Sequence, residues 1–224
     1  MQILSIIMAI IISIEGNIGS GKSTLVKNLL AESLTIDLDL IFLQEPVDIW
    51  KTIKDKNGVT ILEKFYKNQE KYAFSFQMMA YISRLKLLKN TVEKNPDSII
   101  ICERSLWTDR NVFAKMLKND GKIEDINYTI YNKWFDEFSK DFKTDGYIYL
   151  KTSPEICKKR VVSRNRTGEN IPIEYLQKCN SYHDNWLSEE KNILILDGDT
   201  AKKNLDNSML IDIINFINKI IVNK

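Results

Sequence analysis

The sequence predicts an α/β domain: a five-stranded parallel sheet with helices on both faces. Three observations carry that expectation. Short β-branched runs alternate with longer helical stretches, the rhythm of strand–helix–strand units. The strand candidates are apolar nearly throughout, as strands buried on both faces are. A glycine-rich turn, Gly16–Gly21, separates the first strand from the first helix.

The first strand is Ile10–Ile14, led by the β-branched run Ile10-Ile11-Ile12. Four further apolar runs bounded by turn or polar residues follow, at Leu40–Gln44, Ser98–Cys102, Gly146–Leu150 and Asn192–Leu196. Helices are expected at Lys22–Ala31, Thr60–Lys67, Ala73–Lys94, Thr108–Leu117, Ile126–Ser139, Pro154–Arg164 and Pro172–Leu187, with a last one near Ser208–Val222. Asp55–Val59 and Asn165–Asn170 read as polar loops. With no internal repeat and no Ser/Pro/Gly-rich linker, residues 1–224 are expected to form one domain.

Composition removes several classes. The chain is 44% hydrophobic and 28% charged, enough apolar content for a packed core. Its net charge of +2 gives no reason to expect a nucleic-acid or membrane-surface partner. Cys102, Cys157 and Cys179 are scattered and form no CxxC pair, which fits a reducing cytoplasmic setting. The apolar stretch Ile3–Ile14 is too short to span a bilayer and lacks a basic leader; Met8 offers an alternative start. Only six of the 32 basic residues are Arg: Arg84, Arg104, Arg110, Arg160, Arg164 and Arg166.

The strongest motif is Gly16-Asn17-Ile18-Gly19-Ser20-Gly21-Lys22-Ser23, followed by Thr24. It fits GxxxxGK[ST] in the strand-to-helix context that the motif requires. Glycines let backbone amides turn around a polyphosphate, and the next helix offers its positive end. Lys22 can reach the β/γ-phosphates, and the Ser23 hydroxyl can ligate Mg²⁺. ATP, or another nucleoside triphosphate, with Mg²⁺ is therefore expected.

A GTPase switch would carry NKxD, but Asn132-Lys133 runs into Trp134-Phe135. Asp55-Lys56-Asn57-Gly58 matches DxxG where no strand ends. Two carboxylates do stand at strand ends, Glu45 and Glu103, where an open parallel sheet places its ligands. Such a pair suits a general base for a hydroxyl nucleophile and a partner for Mg²⁺. Arg160 and Arg164 share a helix face at i, i+4, and Arg166 follows. Like charges at that spacing repel unless a polyanion relieves them, so the three read as a lid over the transferring phosphoryl group. What remains is a small P-loop kinase with an arginine-rich lid, or an ATPase whose partner is unseen.

These residues resemble the deoxynucleoside kinases of the deoxycytidine/deoxyguanosine kinase and mitochondrial-type thymidine kinase group. The resemblance is carried by Ile14–Ile18 into the phosphate loop, Glu45-Pro46-Val47 with Trp50, and Tyr66 before Phe76-Gln77. It continues through Glu103-Arg104-Ser105, Asp109-Arg110, Phe113-Ala114, Arg160–Arg166 and Ile171–Leu176, most of the chain in family order. It implies ATP-dependent phosphorylation of a deoxynucleoside 5′-hydroxyl, in nucleotide salvage. Glu45 would be the general base, and Arg104 would hold the hydroxyl and the incoming phosphoryl group. Glu103 would act with Ser23 around Mg²⁺. Tyr66 and Glu169 would bind the 3′-hydroxyl, Gln77 the base edge, and Phe113 would stack on the base. Val47, Trp50, Leu62 and Phe76 would wall the pocket, and Asp197 would pass near the ATP adenine. The loop between Arg166 and Ile171 is about one residue shorter than in the relatives. The resemblance also implies a homodimer through the Ala73–Lys94 and Thr108–Ser139 regions.

Arg84 lies at i+7 from Gln77 and i+4 from Ala80, and Asp109 follows the Glu103-Arg104-Ser105 turn. An Arg, an Asp and the small Ala80 resemble the branch that takes cytosine and purine deoxynucleosides. A thymidine-preferring or broad-specificity kinase is the alternative, followed by a nucleoside monophosphate kinase or a non-catalytic nucleotide-binding regulator. His183 is expected on a helix surface without chemistry, Cys102 in the packed strand, and Lys158 as a charge without a role.

Overall fold

The computed structural model describes residues 9–33, 38–166, 168–200 and 207–224. Met8 and the apolar residues before it lie outside them. Five strands form one parallel sheet: β1 (Ile10–Glu15), β2 (Leu40–Leu43), β3 (Ile99–Glu103), β4 (Gly146–Lys151) and β5 (Ile193–Asp197). Their order is β2-β3-β1-β4-β5, so the strand that feeds the phosphate loop is central. β1 pairs with β3 from Ile10↔Ile99 to Ile14↔Glu103, and with β4 from Ile12↔Gly146 to Glu15↔Tyr149.

The pleat divides β1 between two cores. Ile12 and Ile14 pack against Leu25, Val26 and Leu29 of α1 (Lys22–Glu32) and Ile213, Phe216, Ile217 and Ile220 of α10 (Asn207–Val222). Ile11 points the other way, with Ile100 and Cys102, toward Tyr81 and Leu88 of α4 (Gln69–Lys94) and Tyr131 and Phe135 of α7 (Asp125–Ser139). Each such side chain contributes on the order of 1.5–3 kcal/mol on burial. The apolar, non-alternating strands thus follow from helices on both faces.

A third cluster stands beyond the strand ends: Trp50 of α2 (Val47–Thr52), Leu62 and Phe65 of α3 (Ile61–Lys67), and Ala73, Phe76 and Ala80 of α4. The helix pair α8 (Pro154–Arg164) and α9 (Ile173–Leu187) packs through Cys157, Val161, Ile171 and Leu176.

Four expectations change. α2 has no counterpart in the sequence reading. α4 begins at Gln69, four residues before Ala73, because the Asn68 side chain accepts from the Lys71 amide and caps it. The single helix expected over Thr108–Leu117 is three pieces: α5 (Leu106–Thr108), a π-helical stretch Asp109–Ala114, and α6 (Lys115–Asn119). His183 is wholly buried rather than on the surface. Its ring lies parallel to Tyr149 and edge-on to Phe113, and Nδ1 meets the Cys179 carbonyl at 2.7 Å. Among the described residues, no helix is long and apolar enough to cross a membrane.

Candidate active site

A cavity of about 500 Å³ opens at the carboxyl end of the sheet. The phosphate loop forms one end. Gly19 has φ +83°, and a Cβ there would stand 2.6 Å from the Cys157 carbonyl, so the loop lies against α8 with room only for glycine. Ile18, Gly19, Gly21, Lys22, Ser23 and Thr24 line the cavity, whereas Gly16, Asn17 and Ser20 form the loop's outer frame. The Asn17 amide is turned away: it donates to the Leu176 carbonyl of α9 at 2.8 Å and accepts from the Ile18 amide.

Lys22 is buried, its ammonium donating to the Gly16 and Asn17 carbonyls at 3.0 and 2.7 Å. Burial, and next to it the charge of Arg104, lower its pKa to about 7. Ser23 Oγ donates to Glu103 Oε1 at 2.6 Å. No cluster of three or more His, Cys, Asp or Glu stands ready for a metal among the described residues. A hydroxyl beside one carboxylate fits an ion such as Mg²⁺, which keeps waters and substrate phosphates as its other ligands.

At the middle of the cavity, Glu45 follows β2 and takes two guanidinium groups. Arg84 Nη2 donates to its Oε1 at 3.0 Å, and Arg104 Nε stands 3.3 Å from the same oxygen. Burial raises the Glu45 pKa, but Arg104, Arg84 and Lys22 outweigh it and hold the carboxylate at about 2. Arg104 also donates to the Gly16 carbonyl at 2.8 Å and lies over the Phe113 ring, 5.0 Å from its centroid. Arg84 is shared further: Nε donates to Asp109 at 2.9 Å and Nη1 to the Glu103 carbonyl at 3.1 Å.

The far end is apolar. Val47, Trp50, Leu62, Tyr66, Phe76, Ala80 and Phe113 line it, with Gln77, whose buried Oε1 has no hydrogen-bond partner among the described residues. A buried amide oxygen without a partner is costly, so this atom marks where a polar ligand edge would be received. Asp109 and Phe113, at i and i+4, share the cavity face of the π-helical stretch, a local distortion common at functional sites.

Arg160, Arg164, Arg166 and Glu169 form the third side. Arg160 donates to the backbone carbonyls of Ser20 and Gly198 at 2.8 and 2.9 Å. The repulsion expected among the three arginines is relieved within the chain: Arg164 Nη2 donates to both Glu169 oxygens at 2.7 Å, and Arg166 stands 3.7 Å from the same carboxylate. Lys158 is no bystander. Its ammonium donates to the Ile171 carbonyl at 2.5 Å and ties α8 to the approach of α9.

Apart from the outer frame of the phosphate loop, one expected site residue stays outside. Asp197 closes its own turn, accepting from the Asp199 amide and the Thr200 hydroxyl at 2.9 Å, and lines a separate cavity at the ends of β4 and β5. Conversely, Lys27, Gln44, Asp48, Lys51, Phe65 and Tyr175 line the main cavity without having been assigned. Tyr175 stands in the Ile171–Leu176 run that carries the family resemblance, and that is the available signal.

A loop for a polyphosphate, an ionised carboxylate between two arginines, and an apolar chamber with one free amide describe a kinase with a small uncharged acceptor. Comparison with known proteins gives the same answer. The deoxynucleoside kinase family model matches residues 12–222. The chain is 38% identical over 224 residues to the "Probable deoxycytidine kinase FPV151" of fowlpox virus, covering 94% of this chain and 89% of that protein. It is 34% identical over 197 residues to human deoxycytidine kinase, covering 79% and 74%. With Xenopus laevis deoxycytidine kinase 1 it shares 35% over 197 residues, 79% and 73% of the two chains. The chain belongs to the deoxynucleoside kinase family.

Proposed function

We propose that the chain transfers the γ-phosphoryl group of ATP to the 5′-hydroxyl of deoxycytidine and purine deoxynucleosides. The carrying observation is Glu45, ionised and gripped by Arg84 and Arg104 between the phosphate loop and the apolar chamber. An acceptor that already carried a phosphate would have to displace this carboxylate from its two guanidiniums, which disfavours a nucleoside monophosphate kinase. Glu45 also gives the site an acceptor function that a nucleotide-binding regulator does not need.

In this reading Glu45 accepts the hydrogen bond of the 5′-hydroxyl and takes its proton as the new P–O bond forms. Its low basicity suits a loose transition state, in which the proton moves late and orientation dominates. Arg104 holds the hydroxyl, with Gly16 and Glu45 fixing its guanidinium. Lys22 and the loop amides hold the β/γ-phosphates. Ser23 and Glu103 would hold Mg²⁺, which neutralises charge on the phosphates. Arg160, Arg164 and Arg166 form the lid, about residues 160–170, over the migrating group. Tyr66 and Glu169 bind the 3′-hydroxyl. Gln77 pairs with the base and Phe113 stacks on it. Asp197 remains a candidate for the adenine side through its loop, because Arg160 grips the adjoining Gly198 carbonyl.

The base preference rests on the buried Arg84–Asp109 pair beside small Ala80, and the deoxycytidine kinases among the relatives support it. We read the chain as one domain that works as a cytoplasmic homodimer. Ile82 of α4 and Ile126, Ile130, Trp134 and Phe138 of α7 are exposed, with Trp134 and Phe138 stacked at 5.7 Å, which supports a partner there. The three cysteines are buried free thiols, in keeping with a reducing compartment. A coupled assay over the four deoxynucleosides and their monophosphates tests the function. Deoxycytidine or a purine deoxynucleoside should be the best acceptor; thymidine as clear favourite, or phosphorylation of monophosphates alone, would overturn the reading.

A further inference from the structure

We infer that Glu15 is the positioning residue for Arg104, holding the turn that aims its guanidinium at the phosphate loop and at Glu45. The inference rests on the role given to Arg104 above.

Glu15 is the last residue of the central strand and has no exposed surface. A carboxylate there needs a full set of donors, because an uncompensated buried charge is strongly destabilising. Its donors are neutral, and two of the three lie in one turn. Oε1 accepts from the Ser105 amide and from Ser13 Oγ, each at 2.9 Å, and Oε2 accepts from Thr108 Oγ1. Ser105 and Thr108 bracket the start of α5, where Ser105 Oγ in turn caps the Thr108 amide. The carboxylate therefore grips the whole turn between β3 and the π-helical stretch.

That turn contains Arg104, at φ +66°. A left-handed backbone is strained for a non-glycine residue and persists where surroundings over-determine it. Here the surroundings are two consecutive anchors supplied by β1: the Arg104 amide donates to the Ile14 carbonyl at 3.0 Å, and the Ser105 amide to Glu15. From this backbone the guanidinium reaches the Gly16 carbonyl, Glu45 and the Phe113 ring together. One residue of β1 thus fixes the acceptor-side arginine, and the next residue opens the phosphate loop. Donor and acceptor halves share one frame.

The test is a double-mutant cycle on the full chain, with ATP and the best deoxynucleoside. Glu15→Ala should lower kcat about 100-fold, the cost of misplacing a catalytic group by about an ångström, with both KM values within about threefold. Glu15→Gln keeps an acceptor for the Ser105 amide and a donor for Thr108, and should recover to within about tenfold of the parent. In an Arg104→Ala background, Glu15→Ala should add less than about threefold, since the group it positions is gone. Full multiplication of the two losses would overturn the proposal, as would Glu15→Gln falling as far as Glu15→Ala in folded protein. If Glu15→Ala does not fold, Thr108→Val loosens the second grip instead. It should cost about fivefold in kcat in the parent and nothing in Arg104→Ala; an equal loss in both would again overturn it. Parental turnover in Arg104→Ala itself is a different signature: it removes the role of Arg104, and this proposal with it.

Discussion

The two ends of the cavity satisfy their cations in opposite ways. At the acceptor end Arg84 and Arg104 meet carboxylates: Glu45 takes both, and Asp109 takes Arg84. At the donor end Lys22 and Arg160 rest on neutral carbonyls of Gly16, Asn17, Ser20 and Gly198. The first arrangement is neutralised before anything binds and is rigid, as suits an uncharged nucleoside. The second has no carboxylate to neutralise it, and an incoming phosphate both holds Lys22 in its protonated form and displaces the carbonyl oxygens through charge-assisted bonds. Arg164 and Arg166 lie between these extremes, clasped by Glu169. The lesson is that the partners of an arginine, more than its presence, tell which substrate it serves.

Substitutions can disable either end separately. The largest effect is expected at Glu45. Glu45→Gln should cost about 10²–10⁴-fold in kcat and also lower the thermal midpoint, because two buried guanidiniums lose their shared charge; near-parental turnover in the folded protein would end its role with the hydroxyl. Next comes Arg160→Ala, which should lower kcat/KM for ATP about 10²–10³-fold, against no more than about twofold for Lys159→Ala, an exposed neighbour. Equal losses would reduce the donor end to diffuse electrostatics. Glu169→Gln should raise the nucleoside KM about tenfold by weakening one charged hydrogen bond, with KM for ATP nearly unchanged. A shift confined to ATP would move Glu169 to the donor side. The smallest effect concerns stability. Burial, and then Arg104, depress the His183 pKa well below 6.5, so the folded state keeps it neutral while the unfolded chain takes up a proton. Stability from this group is complete above pH 6.5 and falls below it by about 1.4 kcal/mol per pH unit. His183→Phe should remove that slope in urea denaturation between pH 5 and 8; parallel curves for the two proteins would refute it.

The sheet was legible because long β-branched runs bounded by polar residues leave little choice: each of the five strands falls within a residue of its expected limits. The phosphate loop and the Glu45, Arg84, Arg104 and Asp109 group were legible for another reason, since charged residues at strand ends and in an apolar helix face have few bland explanations. Other features had no local signal. Val47–Thr52 is short and rich in β-branched residues, which propensity disfavours in a helix, and burial of Trp50 in the chamber wall holds it there. The π-helical stretch has no periodicity of its own. His183 reads as polar, yet its α9 face turns toward Tyr149 and Phe113. Asn17 and Asp197 sit where ligand contacts are expected, and backbone groups of the chain itself claim both side chains. Glu15 does carry a local signal, an acid closing a central strand whose other residues are four Ile and one Ser.

The strand order has a consequence for how the chain is made. β1 comes first, but its partners are β3 and β4, the nearer of them beginning at Ile99. During synthesis at about 5–20 residues per second, roughly 90 further residues must appear before β1 can pair, a wait of about 5–20 seconds. Through that interval Ile10-Ile11-Ile12 is an unpaired, uncharged β-branched segment, the kind that zips onto its own copies. The only acid within the strand, Glu15, stands at its end, where it interrupts such stacking before it ever meets Ser105.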